Sequence, residues 1–139
     1  MRNGLHSWLY LSASNLNVSE EPLAIHQIVD TSRARNVDMD VTGALLFSGT
    51  RFVQFLEGPL ESISSLQASI KRDARHRDII SLSVRVLRAR QFGKWALAYN
   101  GESAFVEKVL DKAMAHHARG SRDGMDSLIK LLKQFSPTD

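Results

Sequence analysis

Residues Val41 to Glu57 read VTGALLFSGTRFVQFLE. Two β-prone apolar runs, Val41 to Ser48 and Arg51 to Glu57, flank Gly49-Thr50, the two-residue spacing of a tight hairpin. Both faces of the second run are apolar, because by period two Val53 and Phe55 oppose Phe52 and Leu56. Such a hairpin needs cover above and below its sheet. Downstream, Gly58-Pro59 ends the second strand and opens a helix with the stripe Leu60, Ile63, Leu66, Ile70. Asp73 to Asp78 is a polar connection. Ile79 to Leu87 and Trp95 to Tyr99 then read as strands.

Upstream, His6 to Ser12 (HSWLYLS) is another two-faced strand, with Leu9 and Leu11 opposing Trp8 and Tyr10. Asn15 and Asn17 break it. Ser19 suits the N-cap of a helix carrying Glu20, Glu21 and Pro22 in its first turn. Ile25, Ile28, Val29, Ser32 and Asn36 fall on one face of that helix, which is expected to stop between Asn36 and Asp38. The order β-α-β-β-α-β-β within about 100 residues predicts an α+β, ferredoxin-like sandwich. Its two helices cover one sheet face. Phe105, Val109, Ala113 and Met114, then Met125, Leu128, Ile129, Leu132 and Phe135, mark two further amphipathic helices. These cover the second face or pack on another subunit. The expected division is residues 1–100 as the sandwich and 101–139 as a helical cap and output segment.

Composition narrows the function. With 139 residues, 43% hydrophobic and 24% charged, the chain has the balance of a globular domain with a short appendage. No apolar run approaches the ~20 residues that span a bilayer, and the start lacks the pattern of a secretory signal, so a cytoplasmic protein is expected. The absence of cysteine excludes disulfides, thiolate nucleophiles, cysteine-ligated metals and cysteinyl adducts. The five histidines show no convincing metal-site pattern, and the neighbours His116 and His117 point to different sides of a helix, so no metal is expected. No nucleophile-elbow, Walker or dinucleotide motif is present, which removes the usual support for hydrolase or nucleotide-triphosphatase chemistry. The net charge is +3, with eight basic residues between Lys71 and Lys94. Without a recognition motif they read as a solvated face, and no nucleic acid is expected.

One polar residue stands out of place. Gln54 lies mid-strand and points the same way as Phe52 and Leu56. A buried amide costs about 1–3 kcal/mol unless its donors and acceptor are matched. Tyr10 and Asn36 are candidate partners. A closed Tyr–Gln–Asn network and a polar ligand both satisfy this requirement.

Six motifs resemble, in order, those of BLUF domains, the blue-light sensors that use FAD. They are WLYLS around Tyr10, SRARN (Ser32 to Asn36), VTGALLF (Val41 to Phe47), RFVQFLEG (Arg51 to Gly58), RDARH (Arg72 to His76) and FGKWAL (Phe92 to Leu97). The resemblance implies an oxidised flavin held non-covalently between the two helices of a ferredoxin-like fold. Asn36 is then expected on the flavin's carbonyl and ring-nitrogen edge, Arg75 and His76 near its pyrimidine side, Ile28 on the ring and Ser32 along the pocket. Tyr10 corresponds to the electron donor and Gln54 to the switch glutamine, whose rearrangement changes the hydrogen bonds to the flavin. Trp95 matches a tryptophan that approaches that glutamine, and Leu97 stands where many members have methionine. FAD is the expected cofactor, with FMN and riboflavin as alternatives. The resemblance implies a short stand-alone photoreceptor, not an enzyme, that signals to a separate effector protein and forms a homo-oligomer. The rival reading is a light-insensitive regulatory or ligand-binding module on the same fold.

Overall fold

A computed structural model describes residues 4–17, 23–100, 104–121 and 123–135, the side chains of 96–100, 123 and 135 excepted. Its elements are β1 (Leu5–Ser14), α1 (Ala24–Asp38), β2 (Thr42–Phe47), β3 (Arg51–Pro59), α2 (Leu60–Lys71), β4 (His76–Leu87), β5 (Trp95–Asn100), α3 (Ala104–Ala118) and α4 (Asp123–Phe135). They form one five-stranded sheet in the order β4-β1-β3-β2-β5. The pairs β1–β3, β1–β4 and β2–β3 are antiparallel, and β5 joins β2 in parallel. This is the expected α+β ferredoxin-like sandwich.

The two-faced strands divide as their alternation requires. Trp8, Tyr10, Leu45, Phe47, Phe52, Leu56 and Trp95 pack with Ile25 and Val29 of α1 and Ile63, Leu66 and Ile70 of α2. On the other face, Leu9, Leu11, Leu46, Val53 and Phe55 pack under α3 and α4. Burial at that scale, about 1.5–3 kcal/mol for each large apolar side chain, explains why the terminal helices lie on the sheet.

The α3 stripe differs from expectation. Val106, Leu110 and Ala113 form its buried line, while Phe105 is 58% exposed. A one-residue shift in helical phase accounts for this, because Val109 and Met114 remain at the edge of the core. In α4 the buried line is Met125, Leu128, Leu131 and Leu132, with Ile129 beside it. The Phe135 side chain lies outside the described residues, as does the expected cap at Ser19. Strand β4 starts at His76, three residues before the expected Ile79. The early start follows from pairing Ser14 with His76 and Ala13 with Arg77.

Gly43 is set by backbone proximity. Its φ is +147°, and an added Cβ would sit 1.9 Å from the Phe55 carbonyl oxygen. The close approach that a lone glycine implies is therefore to β3.

Candidate site between the two helices

Register places Tyr10 directly opposite Gln54 across the β1–β3 pair. Cross-strand partners have Cβ atoms about 4.5–5.5 Å apart, so their polar ends meet with no help from a loop. Gln54 Nε2 donates to the Tyr10 hydroxyl at 2.6 Å. Trp95, two strands away on β5, donates its indole Nε1 to Gln54 Oε1 at 2.9 Å. Indole nitrogen only donates, so Oε1 must face Trp95 and Nε2 must face Tyr10. The buried amide is thus part of a Tyr–Gln–Trp chain. Asn36 is not a member, which corrects the Tyr–Gln–Asn network considered from the sequence.

Asn36 is buried on α1, yet neither its Oδ1 nor its Nδ2 has a partner among the described residues. An orphaned buried amide on this scale marks a place where a further polar group fits. Ile28 and Ser32, earlier on the same helix, line a cleft together with Tyr10, Gln54, Arg75 and His76. Residues missed from the sequence also line it: Thr31, Arg35, Leu45, Phe52, Ile70 and Asp73. Thr31 and Arg35 were legible in principle, since both lie within a turn of Ser32 on a helix already assigned to the pocket.

Arg75 and His76 are tied down at the cleft mouth. Arg75 forms an ion pair with Asp73 at 2.5 Å. Hydrogen bonds from Arg75 hold the Asp73 carboxyl below its ordinary value, despite opposing burial. Ser12 Oγ meets His76 Nδ1 at 2.7 Å, and His76 Nε2 lies 2.7 Å from the Ile70 carbonyl. A carbonyl can only accept, so Nε2 carries a proton, while Nδ1 and the Ser12 hydroxyl share the second hydrogen bond. His76 therefore joins β1, β4 and the end of α2. Burial raises the Tyr10 phenol well above its ordinary value, against the lowering effect of the Gln54 hydrogen bond and the Arg35 charge. The Arg35 guanidinium, half-buried beside it, is pushed down by burial.

A second feature on the opposite face of β3 escaped the sequence reading. Glu57 is fully buried. Its carboxylate accepts from the Gln91 and Phe92 amides at 2.7 and 2.8 Å and from Thr42 Oγ1 at 2.8 Å. Arg90, on the same loop, reaches Thr42 Oγ1 and the Glu57 carbonyl. The signal was available: by period two Glu57 shares a face with Val53 and Phe55, where a carboxylate needs donors. This clamp fixes the β4–β5 loop three residues before Trp95.

A flavin ring presents acceptors and an N–H donor along one edge, which suits an amide pair such as Asn36 and Gln54. The cleft measures about 500 Å³ out to its mouth. The polar groups of the cleft therefore fit the edge of such a ring.

Fold and cleft together define a small α+β domain with a buried Tyr–Gln–Trp hydrogen-bond chain beside a cleft between two helices. The chain belongs to the BLUF family, sensors of blue-light using FAD, whose pattern matches residues 5–98. The blue light- and temperature-regulated antirepressor BluF of Escherichia coli (strain K12) is 40% identical over 81 residues, 58% of this chain and 20% of that protein. Photoactivated adenylate cyclase subunit beta of Euglena longa is 32% identical over 89 residues, 63% of this chain and 10% of that one. The chain thus spans a fifth or less of the length of these relatives. Among solved structures, the dark state of BlrB, a BLUF protein, superposes with a TM-score of 0.68 at 28% identity and covers 96% of both chains. Among the described residues no helix is long and apolar enough to cross a membrane.

Proposed function

We propose that the chain is a blue-light switch that holds FAD between α1 and α2 and signals to a separate protein. The observation that carries this reading is the buried Asn36 amide, without partners among the described residues, on the helix whose Ile28 and Ser32 line a cleft with Tyr10 and Gln54. Asn36 would hold the ring's carbonyl and nitrogen edge, with Gln54 beside it, Ile28 packed on the ring, Ser32 along the wall, and Arg75 and His76 at the pyrimidine side. The bound flavin supplies blue absorption and an excited state that accepts an electron.

The protein's own groups supply the rest. Tyr10 keeps its proton at ordinary pH because burial disfavours the phenolate. It is therefore a source of an electron together with a proton. Its hydroxyl accepts from Gln54, which leaves its own proton pointing away from Nε2. Handing electron and proton to the bound flavin would leave a neutral Tyr10 oxygen that can only accept, which would perturb the amide bonded to it. Rotation of Gln54 would then break the bond from Trp95 Nε1, since the indole cannot donate to the amide N–H that rotation brings round. The rearrangement reaches β5 through Trp95. The C-terminal helices, residues 101–139 in the division adopted here, would pass it on as a change in partner binding or self-association. The switch has no turnover chemistry, and we place it in the cytoplasm. Leu97 follows Trp95 by two on β5; its side chain lies outside the described residues, and a role in tuning recovery is part of this proposal.

The test is to load purified protein with FAD, FMN or riboflavin and illuminate it with blue light. A reversible red shift of the flavin band is the expected result. Protein that folds but takes up none of the three would overturn the reading and favour a light-insensitive regulatory module.

A further inference from the structure

A polar rung crosses the sheet face under α4. Register aligns Arg85, Ser7, Glu57 and Thr42 on β4, β1, β3 and β2. One half is closed, because Glu57 and Thr42 bond each other and the 90–92 loop. The other half is open. Ser7 is 1% exposed, yet its Oγ has no hydrogen-bond partner among the described residues. It faces a groove between the sheet and α4 that Arg85, Lys130, Lys133 and Asp126 also line, over Phe55 and Ile129.

This groove is larger than the cleft between α1 and α2. Its empty volume is about 880 Å³, against about 500 Å³ there. Three cations face one carboxylate. Lys133 is held by Gln91 Oε1 at 2.7 Å, while Arg85 and Lys130 form no ion pair among the described residues. A buried hydroxyl donor beside an unpaired guanidinium is a setting for a charge-assisted hydrogen bond to an anion. The apolar floor offers burial to a short chain or ring.

We infer that this groove is a second ligand site, for a small amphiphilic anion whose carboxylate or phosphate meets Arg85 and the Ser7 hydroxyl while its apolar part lies on Phe55 and Ile129. The sheet separates it from the proposed flavin cleft, so it stands or falls independently of the light reading.

Calorimetric titration of the full chain with octanoate, octyl phosphate and 1-octanol tests it, the two anions distinguishing carboxylate from phosphate. At least one anion is expected to saturate a single site tenfold or more tightly than octanol. Arg85→Gln should weaken that binding tenfold or more, and Lys130→Gln, on the exposed side of α4, several-fold. Ser7→Ala should weaken it too, yet raise the unfolding temperature by removing an unmatched buried hydroxyl. Equal binding of octanol, full affinity in both charge variants, or no saturable binding of either anion by the folded chain would overturn the assignment.

Discussion

Trp95 donates its indole N–H to the Gln54 carbonyl at 2.9 Å, and that one bond decides which way round the amide sits. Removing it in Trp95→Phe leaves a buried acceptor without its donor. A loss of about 1–3 kcal/mol in unfolding free energy is expected from urea titration. In flavin-loaded protein the same change should alter the dark-recovery rate several-fold, because the resting orientation of Gln54 has lost its anchor. Recovery at the wild-type rate would mean that Trp95 does not set that orientation.

Tyr10 carries a signature in alkali. Burial raises its phenol pKa above the ordinary 10.0, so the native chain holds a proton that the unfolded chain releases. Stability contributed by this group is complete below pH 10 and falls as pH rises from there toward the folded value. Wild type should therefore lose up to about 1.4 kcal/mol per pH unit from this source, and Tyr10→Phe should not. Urea unfolding at pH 8 and pH 11 checks it. Parallel losses in the two proteins would place the alkaline sensitivity elsewhere.

Asn36 separates ligand binding from folding. Asn36→Leu removes two unmatched polar atoms while keeping similar volume, so the flavin-free chain should gain about 1 kcal/mol in stability. Flavin affinity should fall by about tenfold or more. A variant that is destabilised without flavin would show that the amide has structural partners.

Glu57 governs the loop ahead of Trp95. Glu57→Ala deprives the Gln91 and Phe92 amides of their acceptor, at a cost of about 3 kcal/mol. Hydrogen exchange at those two amides should accelerate far more than in α2. Uniform acceleration across the chain would mean that the carboxylate supports the whole core and not this loop.

Much of this was legible in the residues. The alternation in RFVQFLE assigned Gln54 to one face and the Val53–Phe55 pair to the other, because a strand's period of two leaves no third choice. The Tyr10–Gln54 pairing needed one more fact, the β1–β3 register, which periodicity alone does not supply. Three features stayed hidden for different reasons. That Glu57 needs donors was legible from its face, but its partners are two backbone amides in a loop, which leave no trace in residue identity. The α3 stripe was assigned one position out of phase because Phe105 is more apolar than its position is buried. The exclusion of Asn36 from the core network depends on the rotation of α1 over the sheet, which tertiary packing sets.

Blue-light difference spectroscopy on flavin-loaded wild type and Gln54→Leu, side by side, tests the switch most directly. Wild type should show a red shift that reverses in the dark, and Gln54→Leu should retain its flavin with no shift. A reversible shift of equal size in Gln54→Leu would contradict the role given to this amide.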